Sequence, residues 1–348
     1  MAYQSYIRSG FGGQTEENPG NYFGNGSLGD VTISANTSLV TANDDSAIYE
    51  SHFKSLTINS GVTLSLGFRR RAHVIYVAGN LNVQGSITMS TGASAVASNR
   101  IVVRRASVNG FSTLTESASS IATSYICPAA GSAGGAARTG SPYTGNNGSA
   151  GTNGQTGGGG GGSGDTGSGT AYGNGGAGAA GTAYSGGAGG GGGGWATGPG
   201  IGGSPGGTGG ANGGAGGAAG IVTSYGGGAS VGGGAGNPGG AVTAGGSNTG
   251  NPGSDGTGGT LILIVGGNLT IGGSAVISAN GSAGGTGTAQ SGGGSGAGRV
   301  IVLYAGTLSN SGSIVATGGA GGAGTYSGGA GGAGSVTSPT LIAKALNG

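Results

Sequence analysis

The chain has 348 residues, among them 98 Gly and 8 Pro, with 6% charged, 5% aromatic and a formal net charge of +2. Ordinary chains carry about 25% charged residues and about 7% Gly, so a typical globular enzyme is excluded, and the few prolines and missing Gly-X-Y period exclude collagen. The near-neutral balance argues against a nucleic-acid partner, and neither a long apolar span nor a basic segment leading into an apolar one suggests membrane insertion or a secretory signal.

In chain order, residues 1–30 form an N-terminal segment carrying Tyr3, Tyr6, Arg8, Phe11, Tyr22 and Phe23, aromatics with no evident core of their own. A β-patterned, charged part follows over 31–138. It opens with Asp30-Val31-Thr32-Ile33 and continues with Ser55-Leu56-Thr57-Ile58-Asn59-Ser60-Gly61-Val62-Thr63-Leu64. A fuller unit begins at His73 and runs Val74-Ile75-Tyr76-Val77-Ala78-Gly79-Asn80-Leu81-Asn82-Val83-Gln84-Gly85-Ser86-Ile87-Thr88. Arg100-Ile101-Val102-Val103 adds a further strand candidate.

Residues 139–260 are a glycine-rich block in which the charged residues are Asp165 and Asp255, and positions 151–250 hold 49 Gly. Residues 261–348 then return to β patterning. Leu261-Ile262-Leu263-Ile264-Val265-Gly266-Gly267-Asn268-Leu269-Thr270-Ile271 echoes the unit at His73, and a third copy starts at Arg299 with Val300-Ile301-Val302-Leu303-Tyr304. Each copy is an apolar run, a Gly or Asn turn and short alternating segments, the pattern of stacked coils that cannot bury their faces alone. The copies are therefore expected to stack as layers of one core, with 261–348 packing on 31–138.

Glycine without a Cβ lets extended chains approach closely, and the ordered state open to such a block is a lattice of polyglycine II helices. Such helices make no internal hydrogen bonds, so their N–H and C=O groups must pair with neighbouring helices. The expected fold is all-β and non-regular, with short β-solenoid-like stacked strands combined with a bundle of polyglycine II (PPII-like) helices. Large side chains do not fit inside that lattice. Tyr143, Tyr172, Tyr184, Trp195 and Tyr225 should stand at its rims or loops, as capping staples or as contact residues.

Chemistry-bearing constellations are sparse. His52 and His73 lie in or beside strand-like runs without a nucleophile or metal-ligand spacing, and Cys127 reads as a small buried hydrophobe. The pairs Glu16-Glu17 and Asp44-Asp45, with Glu50 nearby, read as solvated turns rather than a glycosidase pair. Arg69-Arg70-Arg71 reads as a solvated loop or as the ion-pair partner of Asp44, Asp45 and Glu50, with docking to an acidic surface as the alternative. The chain is expected to be no enzyme and to use no cofactor and no metal.

The run Gly24-Asn25-Gly26-Ser27-Leu28-Gly29-Asp30-Val31-Thr32-Ile33-Ser34, then Leu56 to Leu64 and the glycine tracts, resembles the glycine-rich virion proteins of tailed bacteriophages. The block is similar in style to the tip adhesins of long tail fibres in T-even-like phages. That resemblance implies an attachment domain seated on the fibre and a polyglycine II sandwich whose loops touch a bacterial surface receptor, protein or glycan. It implies residence on the phage particle after synthesis in the host cytoplasm, with other virion proteins of the tail or capsid as partners. On it, Tyr3, Tyr6, Arg8, Phe11, Tyr22 and Phe23 are the attachment residues, and Tyr143, Tyr172, Tyr184, Trp195 and Tyr225 the receptor contacts. The longer, charged N-terminal part departs from those adhesins and keeps a capsid or tail decoration role open. A more remote alternative is an ice-binding polyglycine II bundle.

Overall fold

The computed structural model describes residues 23–44, 48–70, 72–90, 105–107, 110–112, 176–179, 190–191, 251–254, 257–287, 291–324 and 327–341. Its strands are β1 (Asp30–Ile33), β2 (Thr37–Ser38), β3 (Ile48–Phe53), β4 (Ser55–Ile58), β5 (Thr63–Ser65), β6 (Ala72–Val77), β7 (Leu81–Val83), β8 (Ser86–Thr88) and β9 (Arg105–Ser107). They continue with β10 (Gly110–Ser112), β11 (Thr260–Val265), β12 (Leu269–Ile271), β13 (Val276–Ser278), β14 (Arg299–Tyr304), β15 (Leu308–Asn310), β16 (Ser313–Val315), β17 (Ser335–Val336) and β18 (Thr340–Leu341).

Apart from the antiparallel pair β9 and β10, these strands form three parallel sheets, ordered β1-β4-β7-β12-β15, β2-β5-β8-β13-β16 and β3-β6-β11-β14-β17, with β18 also on β14. The chain visits the sheets in rotation, so each turn lays one strand on each sheet and the turns stack. The repeat units sit side by side as the pattern requires. Leu261 to Val265 pair with His73 to Val77, and on the other side with Val300 to Tyr304. The whole stretch between β8 and β11 is thus an insertion between two adjacent turns. Its ends meet, since the Gly259 N–H donates to the Met89 carbonyl at 3.3 Å.

The core runs up the middle of the stack as ranks of identical or similar side chains. Leu56, Leu81, Leu269 and Leu308 share one register position, and Leu64, Ile87, Ile277 and Ile314 another. Side chains alternate faces along a strand, so outward positions on the first sheet form a polar rank of Thr32, Thr57, Asn82, Thr270 and Ser309. The third sheet differs. Its inward residues Ile75, Val77, Leu261, Leu263 and Val265 are buried, and so are its outward residues Ala72, Val74, Ile262, Ile264 and Ile301. Burial on both faces explains why this sheet reads as continuous apolar runs.

Corners between turns are tied by asparagine side chains. Asn80 Oδ1 accepts from the Asn268 N–H at 2.9 Å, and Asn268 Oδ1 from the Thr307 N–H at 3.0 Å. A matching corner is held by Asn280 Oδ1, which accepts from the Thr317 N–H at 2.8 Å. Backbone donors left over where strands end are satisfied in this way without a helix or hairpin.

Candidate functional site

Beyond Ser278 and Val315 the chain leaves the solenoid as extended glycine segments that are neither helix nor strand. They cover 279–287, 291–298, 316–324 and 328–334, and residues 251–254 and 257–258 lie alongside. Each bonds to its neighbours, and the donors recur every third residue. Gly292, Ser295 and Gly298 donate to the carbonyls of Gly285, Ser282 and Ala279, which makes 291–298 antiparallel to 279–287. Gly281 and Gly284 donate to Thr317 and Ala320, and Gly331 and Gly334 to Gly319 and Ala316. These bonds measure 2.8–3.0 Å.

The segment 291–298 lies at the centre. It receives bonds from Gly258, Gly319 and Gly322, donates through Gly294 and Ala297 to Gly329 and Gly332, and is buried throughout. On the outer segments burial follows the same period: Gly319, Gly322, Gly329 and Gly332 are buried, whereas Thr317, Ala320, Ala323, Ala330 and Ala333 are exposed. A Cβ added at Gly284, Gly294, Gly319, Gly322 or Gly331 would fall closer than 3.0 Å to main-chain atoms of an adjoining segment. Only glycine allows that approach. Two interior hydroxyls join the network: Ser295 Oγ accepts the Ser282 N–H at 2.8 Å, and Ser291 Oγ donates to the Ala323 carbonyl at 2.8 Å. The set continues into the insertion, where Gly329 donates to Gly190 and Gly191 to Gly176, each at 2.9 Å.

Of the sequence-selected contact residues, Tyr143, Tyr172, Tyr184, Trp195 and Tyr225 lie outside the described residues, as do Tyr3, Tyr6, Arg8, Phe11 and Tyr22. Phe23 is described, and the expectation that it has no core of its own is corrected. It is half-buried against the outward cluster of the third sheet, beside Gly266. Gly24 follows at φ 86°, and a Cβ there would collide with Tyr76 and His52. The Leu28 N–H then donates to the His52 carbonyl at 2.9 Å, so residues 23–29 form a clasp over β3, β6 and the end of β11.

The two histidines occupy different settings. His52 stacks on Tyr76 at 4.6 Å and lies 3.7 Å from Glu50. His73 is in the core, its Nε2 is 3.0 Å from Ser51 Oγ, and Tyr49 meets its ring edgewise at 5.4 Å. Burial pushes its pKa down to about 3. The Ser51–His73 pair is sealed from solvent, which suits a structural bond and not nucleophilic catalysis. Sequence reasoning did not find it because partners 22 residues apart meet only when the register of β3 on β6 is known.

At the surface, Asp30 accepts from Ser55 Oγ at 2.7 Å and from Lys54 Nζ at 3.0 Å, and these two hold its carboxyl below the usual range. In the arginine loop, Arg69 N–H donates to Asn43 Oδ1, Asp44 N–H to the Arg69 carbonyl, and Arg70 Nη1 to the Ala42 carbonyl. Glu50, offered as an arginine partner, has His52 beside it. Among the described residues no three His, Cys, Asp or Glu side chains gather where they could hold a metal ion. No protein-family model matches the chain, and neither a curated protein nor a solved structure matches it.

Proposed function

We propose that this chain is a non-enzymatic surface protein of a tailed-bacteriophage particle, a tail-fibre or tail-tip adhesin whose loops contact the host. In this reading the glycine segments are polyglycine II helices and serve as the scaffold for those loops. The observation that carries the reading is the three-residue step of hydrogen bonds between extended glycine segments, with a central segment bonded on several sides. A three-residue turn without internal hydrogen bonds is the signature of the polyproline II family of conformations. A scaffold tied through its main chain keeps its order whatever side chains the connecting loops carry. That independence suits a surface whose loops change with the receptor.

The attachment end is assigned to residues 1–22, which lead into the clasp at Phe23. The receptor contacts are assigned to Tyr143, Tyr172, Tyr184, Trp195 and Tyr225, and a bacterial surface protein or glycan is the partner class. Replacing Tyr172, Tyr184, Trp195 and Tyr225 together by Ser should leave incorporation into particles intact and abolish adsorption to host cells. Deleting residues 1–22 should do the reverse: no incorporation, with binding by the isolated protein retained. Particles that assemble and adsorb normally without the four aromatics would replace the adhesin reading with that of a decoration protein.

A further inference from the structure

We propose that Asn25 is a site of spontaneous covalent modification, deamidation through a succinimide, and that the glycine lattice protects Asn280, which also precedes glycine. Both asparagines precede glycine, Asn25-Gly26 and Asn280-Gly281, and in both the following residue offers no Cβ to hinder attack. Their surroundings differ. Asn25 is exposed, and neither its carboxamide nitrogen nor the Gly26 N–H donates a hydrogen bond among the described residues. Its Oδ1 accepts from the Ser27 N–H at 3.0 Å.

That contact favours the reaction. The Gly26 nitrogen gives its proton to solvent base and bonds to Asn25 Cγ. The carboxamide oxygen becomes an oxyanion that the Ser27 N–H is already placed to stabilise. The Cγ–Nδ2 bond then breaks as Nδ2 takes a proton from solvent and leaves as ammonia, and a five-membered imide remains. Water opens that ring at either carbonyl, yielding aspartate or isoaspartate. At Asn280 the nucleophile itself is tied, because the Gly281 N–H donates to the Thr317 carbonyl at 3.0 Å. That bond must open before the nitrogen is free to attack. The product at position 25 carries a new negative charge, and the isoaspartate form adds a main-chain carbon inside the clasp that spans residues 23–29.

The test incubates the intact protein in mildly alkaline buffer, samples it over time and maps peptides by mass spectrometry in heavy-oxygen water. Conversion at Asn25 should be about tenfold faster than at Asn280, the factor expected when one hydrogen bond on the nucleophile must open first. In denaturant the two sites should react at similar rates. Gly26→Ala should slow Asn25 and leave Asn280 unchanged. As Asn25 converts, the Leu28 amide should lose hydrogen-exchange protection. Equal rates in the native protein would overturn the proposal, as would an inert Asn25 in native protein that converts once unfolded.

Discussion

His73 places a titratable ring in the core with Ser51 and Tyr49 as its polar and aromatic neighbours, and its pKa falls to about 3 from 6.5. The unfolded chain therefore binds one more proton than the folded one between those two values. Stability from the neutral buried ring is complete above about pH 6.5 and is lost progressively as the pH drops toward 3. Thermal melting followed across this range should show the midpoint falling with acidity, and His73→Gln should flatten that dependence. The leucine rank offers a second test at this scale. Leu81 is buried between Leu56 and Leu269, so Leu81→Ala should cost about 2–5 kcal/mol in denaturant unfolding. Leu308 ends the rank and is 37% exposed, so its replacement by Ala should cost less, roughly 1 kcal/mol. The apolar ranks were legible in the sequence because leucine recurs after a Gly-Asn turn at Leu81 and Leu269 and after Gly-Thr at Leu308. Phe23 was not, because its cover is the outward face of a sheet whose two-sided burial depends on tertiary packing.

Among the elements, the long strands of the repeat were read correctly where they are apolar throughout, as in β6, β11 and β14. β3 escaped notice. Its sequence, Ile-Tyr-Glu-Ser-His-Phe, carries three consecutive polar residues because it lies at the edge of the third sheet, where Glu50 is exposed and His52 half-buried. The glycine segments were legible as close-packing chains from the missing Cβ atoms, yet which glycines touch which is set by the three-residue step and cannot be read from composition. That distinction gives a paired prediction. Gly319 faces the Ser282 main chain, so Gly319→Ala should destabilise by about 1–3 kcal/mol through forced separation of two segments. Gly273 lies in a turn with nothing within 4 Å of a built Cβ, so Gly273→Ala should be neutral or stabilising by about 0.4–1 kcal/mol. Calorimetric melting of both variants decides the matter. Equal effects would mean that the segments are not packed as closely as their hydrogen bonds imply.

At the scale of the molecule, the architecture is one solenoid interrupted by an insertion rather than two β units joined by a spacer. Strands β6 and β11 are neighbours in register although the glycine-rich block lies between them in the chain. Met89 and Gly259, at the two ends of that interruption, are joined by a main-chain hydrogen bond. Insertions whose ends meet can be exchanged for short connections without disturbing the host fold. Replacing residues 91–256 by a short Gly/Ser linker should therefore leave β6, β7 and β8 paired with β11, β12 and β13. Hydrogen exchange should show their amides as protected as in the full chain. The same excision removes lattice partners of the return segment, including the Gly190 carbonyl bonded to Gly329, so amides of 328–334 should exchange faster. The two readouts separate the parts of the fold. Loss of protection in β6 and β11 together with 328–334 would mean that the outward face of the third sheet needs the insertion as cover. The solenoid and the glycine block would then be a single cooperative unit.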